Sequence, residues 1–265
     1  MPPPVDAAAH YALFPARAAI LAALARRGAD IEHLTPERLA PFDHLHTGGV
    51  AATRALIARL APRAQDHVLD VGSGLGGPAR LLAAVTGCRV TGIDLTPRFV
   101  DDASDLTART GQAERVTFHL APATALPFAA GTFDAAWHLH VAMNVADKAA
   151  MYGEIFRVLK PGARLAIDDP VRGEGDIRFP LPWAATAEAS YLWNESDLAA
   201  QLRASGFVDL EIVDVTDQGL AWFASIQASR KTGGAPTPLE VLGANHHANL
   251  ISGAVRIVSV LARKP

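Results

Sequence analysis

The sequence predicts an α/β protein built on one doubly wound, mostly parallel sheet. Half of its 265 residues are hydrophobic, which is enough to fill the core of one large domain. From residue 66 onward, short apolar runs typical of strands alternate with amphipathic segments typical of helices. A glycine-rich turn follows the first of these strands, as in folds that bind a nucleotide-like cofactor.

The alternation continues along most of the chain. We expect strands over residues 66–71, 89–94, 115–120, 133–138, 162–168, 207–214 and 255–262, which gives a seven-stranded sheet. We expect core helices over residues 77–86, 97–109, 147–159 and 195–205, and helical segments near 216–230 and 238–250. Gly206 is placed to end the helix before it.

The N-terminal region has helical patterns but lacks the alternating strands of the rest of the chain. Helical patterns over residues 16–27 and 49–61 are joined by a segment that we expect to be irregular. We therefore predict a helical cap or lid over residues 1–62. Residues 63–265 then form the core, with cap insertions near 170–195 and 216–250, where ligands bind at the carboxyl ends of the strands.

Composition narrows the function. A net charge of −3 and an isoelectric point near 6.4 argue against a nucleic-acid binder, which needs excess cation, and favour a small-molecule substrate. The single Cys88 cannot form a disulfide within the chain, so a reducing cytoplasm is expected. The N-terminal residues resemble neither a signal peptide nor a membrane span.

The glycine turn alone leaves the cofactor open. Gly72, Gly74 and Gly77 form a GxGxxG pattern, and Asp94 lies where a dinucleotide enzyme places its ribose carboxylate. Asp70 favours another ligand, because a carboxylate within a buried strand needs a partner. The amino group of an amino-acid-like ligand supplies one, whereas a pyrophosphate would be repelled. A cap on the backbone amides of the turn is the structural alternative for Asp70.

Five motifs occur together in the order VLDVGSG, VTGID, ATALPF, FDAAWHLH and FRVLKPGARLAI. In this order the chain resembles the class I S-adenosylmethionine-dependent methyltransferases. The resemblance implies a Rossmann-like methyltransferase fold with S-adenosylmethionine as cofactor. It also implies that Gly72, Ser73 and Gly74 approach the methionine portion, that Asp94 accepts the ribose hydroxyls, and that Leu95 lies against the adenine. The segment KPG, residues 160–162, is expected to be a structural turn.

Further segments narrow the resemblance. LAPFDHLHTGGVAATRAL, MNVADKAAMYGEIFRVLKPG, FPLPWA and DVTDQGLAWF are similar to the bacterial branch related to sarcosine and dimethylglycine methyltransferases. In that branch the N-terminal segment folds over the cofactor, so His46, Thr47 and Gly48 are candidates to close the pocket. The DHLH segment departs from the branch at His44 and Leu45. The substrate of the branch is therefore not carried over.

The adenine side shows a second departure. Relatives commonly have GDA before the LPF motif, whereas this chain has Ala121, Pro122 and Ala123. The carboxylate that accepts the adenine amino group is therefore missing. The Ala123 amide and Thr124 are the remaining candidates to contact the adenine.

Two histidines end the fourth predicted strand. His138 and His140 are two residues apart, so on a strand they share one face, which would meet the methyl donor. We assign His138 to the cofactor and His140 as the candidate base. A base contributes about 10² to 10⁴ in rate, less than the roughly 7–11 kcal/mol available from positioning, so a substrate-shaping role for His140 is the alternative. No metal site with His246 and His247 is expected.

Aromatic and polar residues in the cap regions are candidates for the acceptor pocket. We assign substrate contacts to Tyr11, His46, Asn144 and Trp183, with packing as the alternative for each aromatic ring. Asn144 is alternatively a cap of the helix that begins near Asp147.

The predicted activity is transfer of a methyl group from S-adenosylmethionine to a nitrogen, oxygen, sulfur or carbon nucleophile of a small molecule. A nicotinamide-dependent oxidoreductase and a non-catalytic S-adenosylmethionine-binding protein are the alternatives.

Overall fold

A computed structural model describes residues 10, 11, 13–229 and 236–265. Within these residues a single sheet has seven strands in the order β3-β2-β1-β4-β5-β7-β6. β1 to β5 run parallel to one another, and β7 runs antiparallel to both β5 and β6. This confirms the predicted fold class. The strands are β1 His67–Val71, β2 Arg89–Asp94, β3 Val116–Leu120, β4 Phe133–Leu139, β5 Leu159–Arg172, β6 Val208–Asp214 and β7 Val255–Arg263.

Nine α-helices of the described residues flank this sheet. They are α1 Arg17–Ala25, α2 Pro36–Asp43, α3 Gly49–Leu60, α4 Gly77–Thr86, α5 Pro97–Arg109, α6 Lys148–Val158, α7 Glu195–Ala204, α8 Thr216–Ser229 and α9 Pro238–Ser252. Two buried clusters cover the two faces of β1. Leu69 and Val71 belong to one cluster and Val68 to the other, so β1 is apolar on both faces, as expected of a central parallel strand.

Helix α2 was not predicted, because the segment contains Pro36, Pro41 and a later pair of glycines. Pro36 occupies the first turn, where its missing N–H costs nothing, and the Thr35 side chain accepts a hydrogen bond from the Arg38 amide at 3.4 Å. The expectation of an irregular connection is therefore wrong over Pro36–Asp43.

The KPG segment lies inside β5 rather than in a separate turn. Phe133 pairs with Leu159 and Ala135 with Arg164, so the register shifts by a bulge over residues 160–163. Gly162 donates its amide to the Lys264 carbonyl at 2.9 Å, which keeps this backbone bonded along β7. The expected strand over residues 162–168 is correspondingly longer in both directions.

The N-terminal helices pack against the helices that follow β1 and β2. Ile20 and Leu39 share a buried cluster with Leu75, Phe99 and Leu106. The boundary near residue 62 and the cap insertions stay predictions. Residues 1–9 and 12 of the expected cap, and residues 230–235 of the later insertion, lie outside the described residues.

Among the residues that the structure describes, no helix is long and apolar enough to span a membrane.

Candidate active site

The glycine turn after β1 has the backbone conformation that glycine permits. Gly72 and Gly74 have φ values of +70° and +52°, in the left-handed region that favours glycine. A Cβ on Gly72 would lie 2.5 Å from Val141 Cγ2, whereas a Cβ on Gly74 would meet only Leu45, at 3.8 Å. Gly72 therefore has to be glycine because Val141 packs against it. The space beside Gly74 is open and could admit a ligand.

Asp94 lies at the end of β2 and accepts two backbone hydrogen bonds. The Gly74 amide donates to its Oδ2 atom at 2.9 Å and the Thr96 amide donates to its Oδ1 atom at 2.8 Å. Burial raises the pKa of the carboxyl group, and the two amide donors oppose that shift. Each oxygen keeps a further lone pair, so the carboxylate can brace the turn and accept two ligand hydroxyls.

Asp70 lies within β1 and is 2% exposed. Its Oδ2 atom has no hydrogen-bond partner in the described part of the chain, and neither has the buried Ser73 Oγ. Burial raises the pKa of Asp70 to about 8; a hydrogen bond from Trp137 opposes the shift and the charge of Asp94 adds to it. A buried carboxylate with one oxygen left without a partner fits a ligand that carries an ammonium group.

The adenine side of the candidate site is apolar and exposed. Leu95 is 66% exposed and Leu120 is 55% exposed, and Leu120 pairs with Asp94 in the sheet. The Ala121 amide donates to the Asp94 carbonyl at 3.1 Å, which holds the following residues, among them Ala123 and Thr124, at this edge. The two leucine side chains form an apolar surface on which a flat aromatic ring can pack.

The expectation that His138 and His140 share a face is wrong. β4 ends at Leu139, and His140 has a φ of +55°, so the alternation of a strand does not reach it. His138 Nδ1 lies 3.4 Å from Asp169 Oδ2, and His140 Nε2 lies 3.6 Å from Asp168 Oδ1. Because Asp168 and Asp169 are consecutive in β5, the two histidines lie on opposite sides of the sheet.

The surroundings of the two rings differ accordingly. His138 is fully buried, and its ring centroid lies 5.9 Å from that of Tyr152. Its predicted contact with the cofactor stays a prediction. His140 directly precedes Val141, which contacts the glycine turn, and its amide donates to the Asp168 carbonyl at 2.7 Å. This bond holds His140 beside the turn.

His140 belongs to a cluster of three buried imidazoles, which we call the histidine cluster: His46, His140 and His246. The ring centroids of His46 and His140 are 5.9 Å apart, and those of His140 and His246 are 6.4 Å apart. Burial, with a smaller effect of the neighbouring imidazoles, lowers the pKa of His246 to about 3 and that of His46 well below 6.5. Both rings are therefore neutral at pH 7.

Each outer ring of the histidine cluster is fixed by a neighbour. His46 Nε2 donates to the Gly49 carbonyl at 3.0 Å, and His246 Nε2 lies 3.0 Å from Thr47 Oγ1. In the sequence, His246 suggests only a possible metal ligand. In the described ranges, no group of three or more histidine, cysteine or acidic side chains is arranged to hold a metal ion.

Tyr11 and Asn144 meet although they are distant in the chain. Asn144 Nδ2 donates to Tyr11 Oη at 2.9 Å. Burial raises the pKa of Tyr11, and the hydrogen bond with Asn144 opposes that shift. Asp147, not Asn144, caps α6, because its side chain accepts from the Ala150 amide at 2.9 Å. The capping alternative for Asn144 is therefore wrong.

Trp183 borders the histidine cluster. The residue is 3% exposed, its Nε1 atom donates to Ser190 Oγ at 3.0 Å, and its ring centroid lies 5.1 Å from that of His246. Its ring also belongs to an apolar cluster with Phe223 and Leu250. Trp183 thus packs in the core of the cap regions and reaches the site through His246.

A buried ion pair joins the N-terminal segment to the glycine turn, which sequence reasoning missed. Arg80 Nη2 donates to Asp43 Oδ2 at 2.7 Å and to the Leu75 carbonyl, and both charged side chains are at most 1% exposed. The other oxygen of Asp43 lies 2.8 Å from His44 Nδ1. Thirty-seven residues separate Asp43 from Arg80, so no local spacing signals the pair.

We expect Asp43→Ala to destabilise the protein by about 3 kcal/mol, because it leaves the Arg80 guanidinium buried without its counter-charge. Urea unfolding followed by circular dichroism measures the change. Asp30→Ala is the matched control, since it removes a carboxylate from an exposed pair with His33; we expect its unfolding midpoint to be unchanged. Equal midpoints for the two variants would contradict the assignment.

Comparison with known proteins supports one family. Residues 69–167 match the family described as "Methyltransferase domain". The chain is 35% identical to methyltransferase GfsG of Streptomyces halstedii over 67% of this chain and 65% of that protein. It is 37% identical to erythromycin 3''-O-methyltransferase of Saccharopolyspora erythraea over 57% of this chain and 54% of that protein. The chain thus spans less than two thirds of the length of these curated relatives.

The fold is also that of a solved methyltransferase. Geranyl diphosphate C-methyltransferase from Streptomyces coelicolor superposes with a TM-score of 0.72 and 20% identity, over 95% of this chain and 100% of that one. The match shows the fold, and the narrower resemblance to sarcosine and dimethylglycine methyltransferases stays a prediction. The domain match shows that residues 69–167 form a methyltransferase domain, and the relatives and the fold agree with the predicted class I S-adenosylmethionine-dependent methyltransferases.

Proposed function

We propose that the protein transfers a methyl group from S-adenosylmethionine to a hydroxyl oxygen of a small molecule. The observation that carries the proposal is the position of His140, whose ring lies 3.6 Å from Asp168 and which directly precedes the residue that packs on the glycine turn. A candidate base therefore lies beside the cofactor cradle.

Several residues would hold the cofactor. Asp70, with its unpaired oxygen, would accept the ammonium group, the turn at Gly72–Gly74 would admit the methionine chain, and Asp94 would accept the ribose hydroxyls. Leu95 and Leu120 would cover the adenine. The bound cofactor supplies an activated methyl group on a sulfonium. Since an ammonium group favours the ionised form of Asp70 and a pyrophosphate disfavours it, these residues fit S-adenosylmethionine better than a nicotinamide dinucleotide.

The protein's own part in the reaction is to position the acceptor and remove its proton. A hydroxyl must lose its proton as its oxygen is methylated, and His140 would take that proton. Asp168 would then stabilise the imidazolium and fix the ring, as a carboxylate does for other catalytic histidines. A separation of 3.6 Å is long for a hydrogen bond, and such contacts commonly tighten when the substrate binds.

Two measurements test this function. Calorimetry compares S-adenosylmethionine with NAD, and we expect binding of the former alone. Incubation with labelled S-adenosylmethionine and a panel of small alcohols, phenols and amines then tests transfer. Labelled ethers support the proposal, labelled amines alone would reassign the acceptor atom, and cofactor binding without transfer would favour a binding protein.

The raised pKa of Asp70 predicts a proton linked to cofactor binding. Because the pKa is about 8, Asp70 is mostly protonated at pH 7 in the free protein, and a nearby ammonium group favours the carboxylate. We expect calorimetry at pH 7 in buffers of different ionisation enthalpy to show release of about one proton per bound S-adenosylmethionine. The affinity should accordingly rise from about pH 6 to pH 8.

Asp70→Asn provides the comparison for that proton. The amide cannot ionise, so we expect weaker binding with no proton released by this group. Equal proton release by the variant and the native protein would assign the proton to another residue. The excess of arginine over lysine favours a bacterial source and the single Cys88 favours a cytoplasmic location, and both stay predictions.

A further inference from the structure

The two ring nitrogens of His246 differ in their hydrogen bonding. The residue is 1% exposed, and its Nε2 atom lies 3.0 Å from Thr47 Oγ1. Its Nδ1 atom is buried and has no hydrogen-bond partner within the described ranges. A buried polar nitrogen is costly to leave unpaired, so a partner from outside the chain is the physical expectation.

Other unpaired atoms lie close to this ring. His140 Nε2 and Asp168 Oδ1 are likewise buried; they face each other at 3.6 Å, beyond hydrogen-bond distance, and have no other partner among the described side chains and backbone. The ring centroids of His140 and His246 are 6.4 Å apart at an interplanar angle of 87°. Two imidazoles at this separation can each bond to one of two neighbouring oxygens of the same small molecule, because each hydrogen bond spans about 2.7–3.2 Å.

The charge of the histidine cluster indicates what it binds. His46 and His246 are neutral, for burial lowers both pKa values, and Asp168 faces the His140 imidazole. On the α9 side, the further titratable neighbour of His246 is His247. Neutral imidazoles donate and accept, as hydroxyl groups do.

We propose that His246 determines acceptor specificity by binding a second oxygen beside the methylated hydroxyl, so that the acceptor is a neutral molecule with two adjacent hydroxyl groups. This inference rests on the proposed function, in which His140 takes the proton of the first hydroxyl. Trp183, edge-on to His246 at 5.1 Å, covers the apolar side of the same molecule. His246 is a binding residue here and takes no part in proton transfer.

The first test measures binding of the acceptor to His246 without turnover. Protein saturated with S-adenosylhomocysteine and labelled with ¹⁵N at histidine is titrated with catechol and trans-1,2-cyclohexanediol, and in parallel with phenol and cyclohexanol. We expect at least one diol to shift the His246 Nδ1 resonance and its mono-hydroxy partner to leave it unmoved. A resonance that responds to no diol, or equally to a diol and its partner, would overturn the proposal.

The second test reads turnover with matched variants. His246→Phe keeps a ring of similar size and loses the nitrogen, and His246→Asn keeps a polar group. We expect His246→Phe to lower kcat/KM for the diol about tenfold or more and to change that for the mono-hydroxy partner less than about twofold. His246→Asn should retain part of the preference. His247→Phe is the control, because His247 stacks on Phe223 at 4.9 Å.

The outcomes separate this inference from the proposed function. If diols shift His246 but no acceptor is methylated, the binding role stands and methyl transfer fails. If diol and mono-hydroxy acceptors are methylated equally well, methyl transfer stands and the role of His246 is wrong. Unchanged S-adenosylhomocysteine affinity in His246→Phe shows that the variant is folded.

Discussion

Asp94→Ala is expected to raise the dissociation constant of S-adenosylmethionine at least tenfold. One lost charge-assisted bond to a ribose hydroxyl, worth about 1.5 kcal/mol, gives about that factor, and two such bonds give about a hundredfold. Calorimetry on the native protein and the variant measures the change directly. Asp101→Ala is the matched control, since it removes an exposed carboxylate from α5, the helix after β2, and should leave the affinity unchanged.

Asp94 also braces the glycine turn, so its loss has a second consequence. Without the carboxylate, the amides of Gly74 and Thr96 lose their acceptors, and the turn loses its link to the end of β2. An analogue separates the two effects. The native protein should bind S-adenosylhomocysteine more tightly than its 2'-deoxy analogue, and Asp94→Ala should bind both alike. If Asp94→Ala still binds S-adenosylhomocysteine more tightly than the 2'-deoxy analogue, the assignment of Asp94 to the ribose hydroxyls is wrong.

The sheet and its glycine turn could be predicted because their signals are local. Val68, Leu69 and Val71 are apolar in a run, and the glycines follow at once, so the strand and the turn are read from consecutive letters. Helix α2 was missed because its two prolines resemble those of a loop, although Thr35, Pro36 and Glu37 form a start signal that could have been recognised.

The candidate site was harder to predict because most of its contacts join distant residues. His140 was named from the strand end, but Asp168 and His246 become its neighbours only through the order of the sheet and the packing of α9. The Asp43–Arg80 pair likewise forms only through the packing of α2 against α4. The alternation rule also failed at His140, where the backbone leaves the extended conformation. Periodicity cannot show such a change of direction.

His140→Asn is expected to lower kcat about 10² to 10⁴-fold, the usual contribution of a general base. Asparagine is the better substitute than alanine, because His140 has a φ of +55° and asparagine tolerates this left-handed conformation. The amide cannot take the proton of a hydroxyl. Affinity for S-adenosylmethionine, measured by calorimetry, should stay within about twofold, since the substitution leaves Asp70 and Asp94 in place.

The pH profile distinguishes a base from a residue that only shapes the pocket. A base acts in its neutral form, so the native rate should rise with pH while the rate of His140→Asn should not rise with it. The ratio of the two rates is therefore small at low pH and largest at high pH. Asp168→Asn should keep the rise but lower the plateau, because His140 remains without its orienting carboxylate. A ratio that is constant across pH would instead assign His140 to positioning the acceptor, and transfer would then depend on proximity to the sulfonium alone.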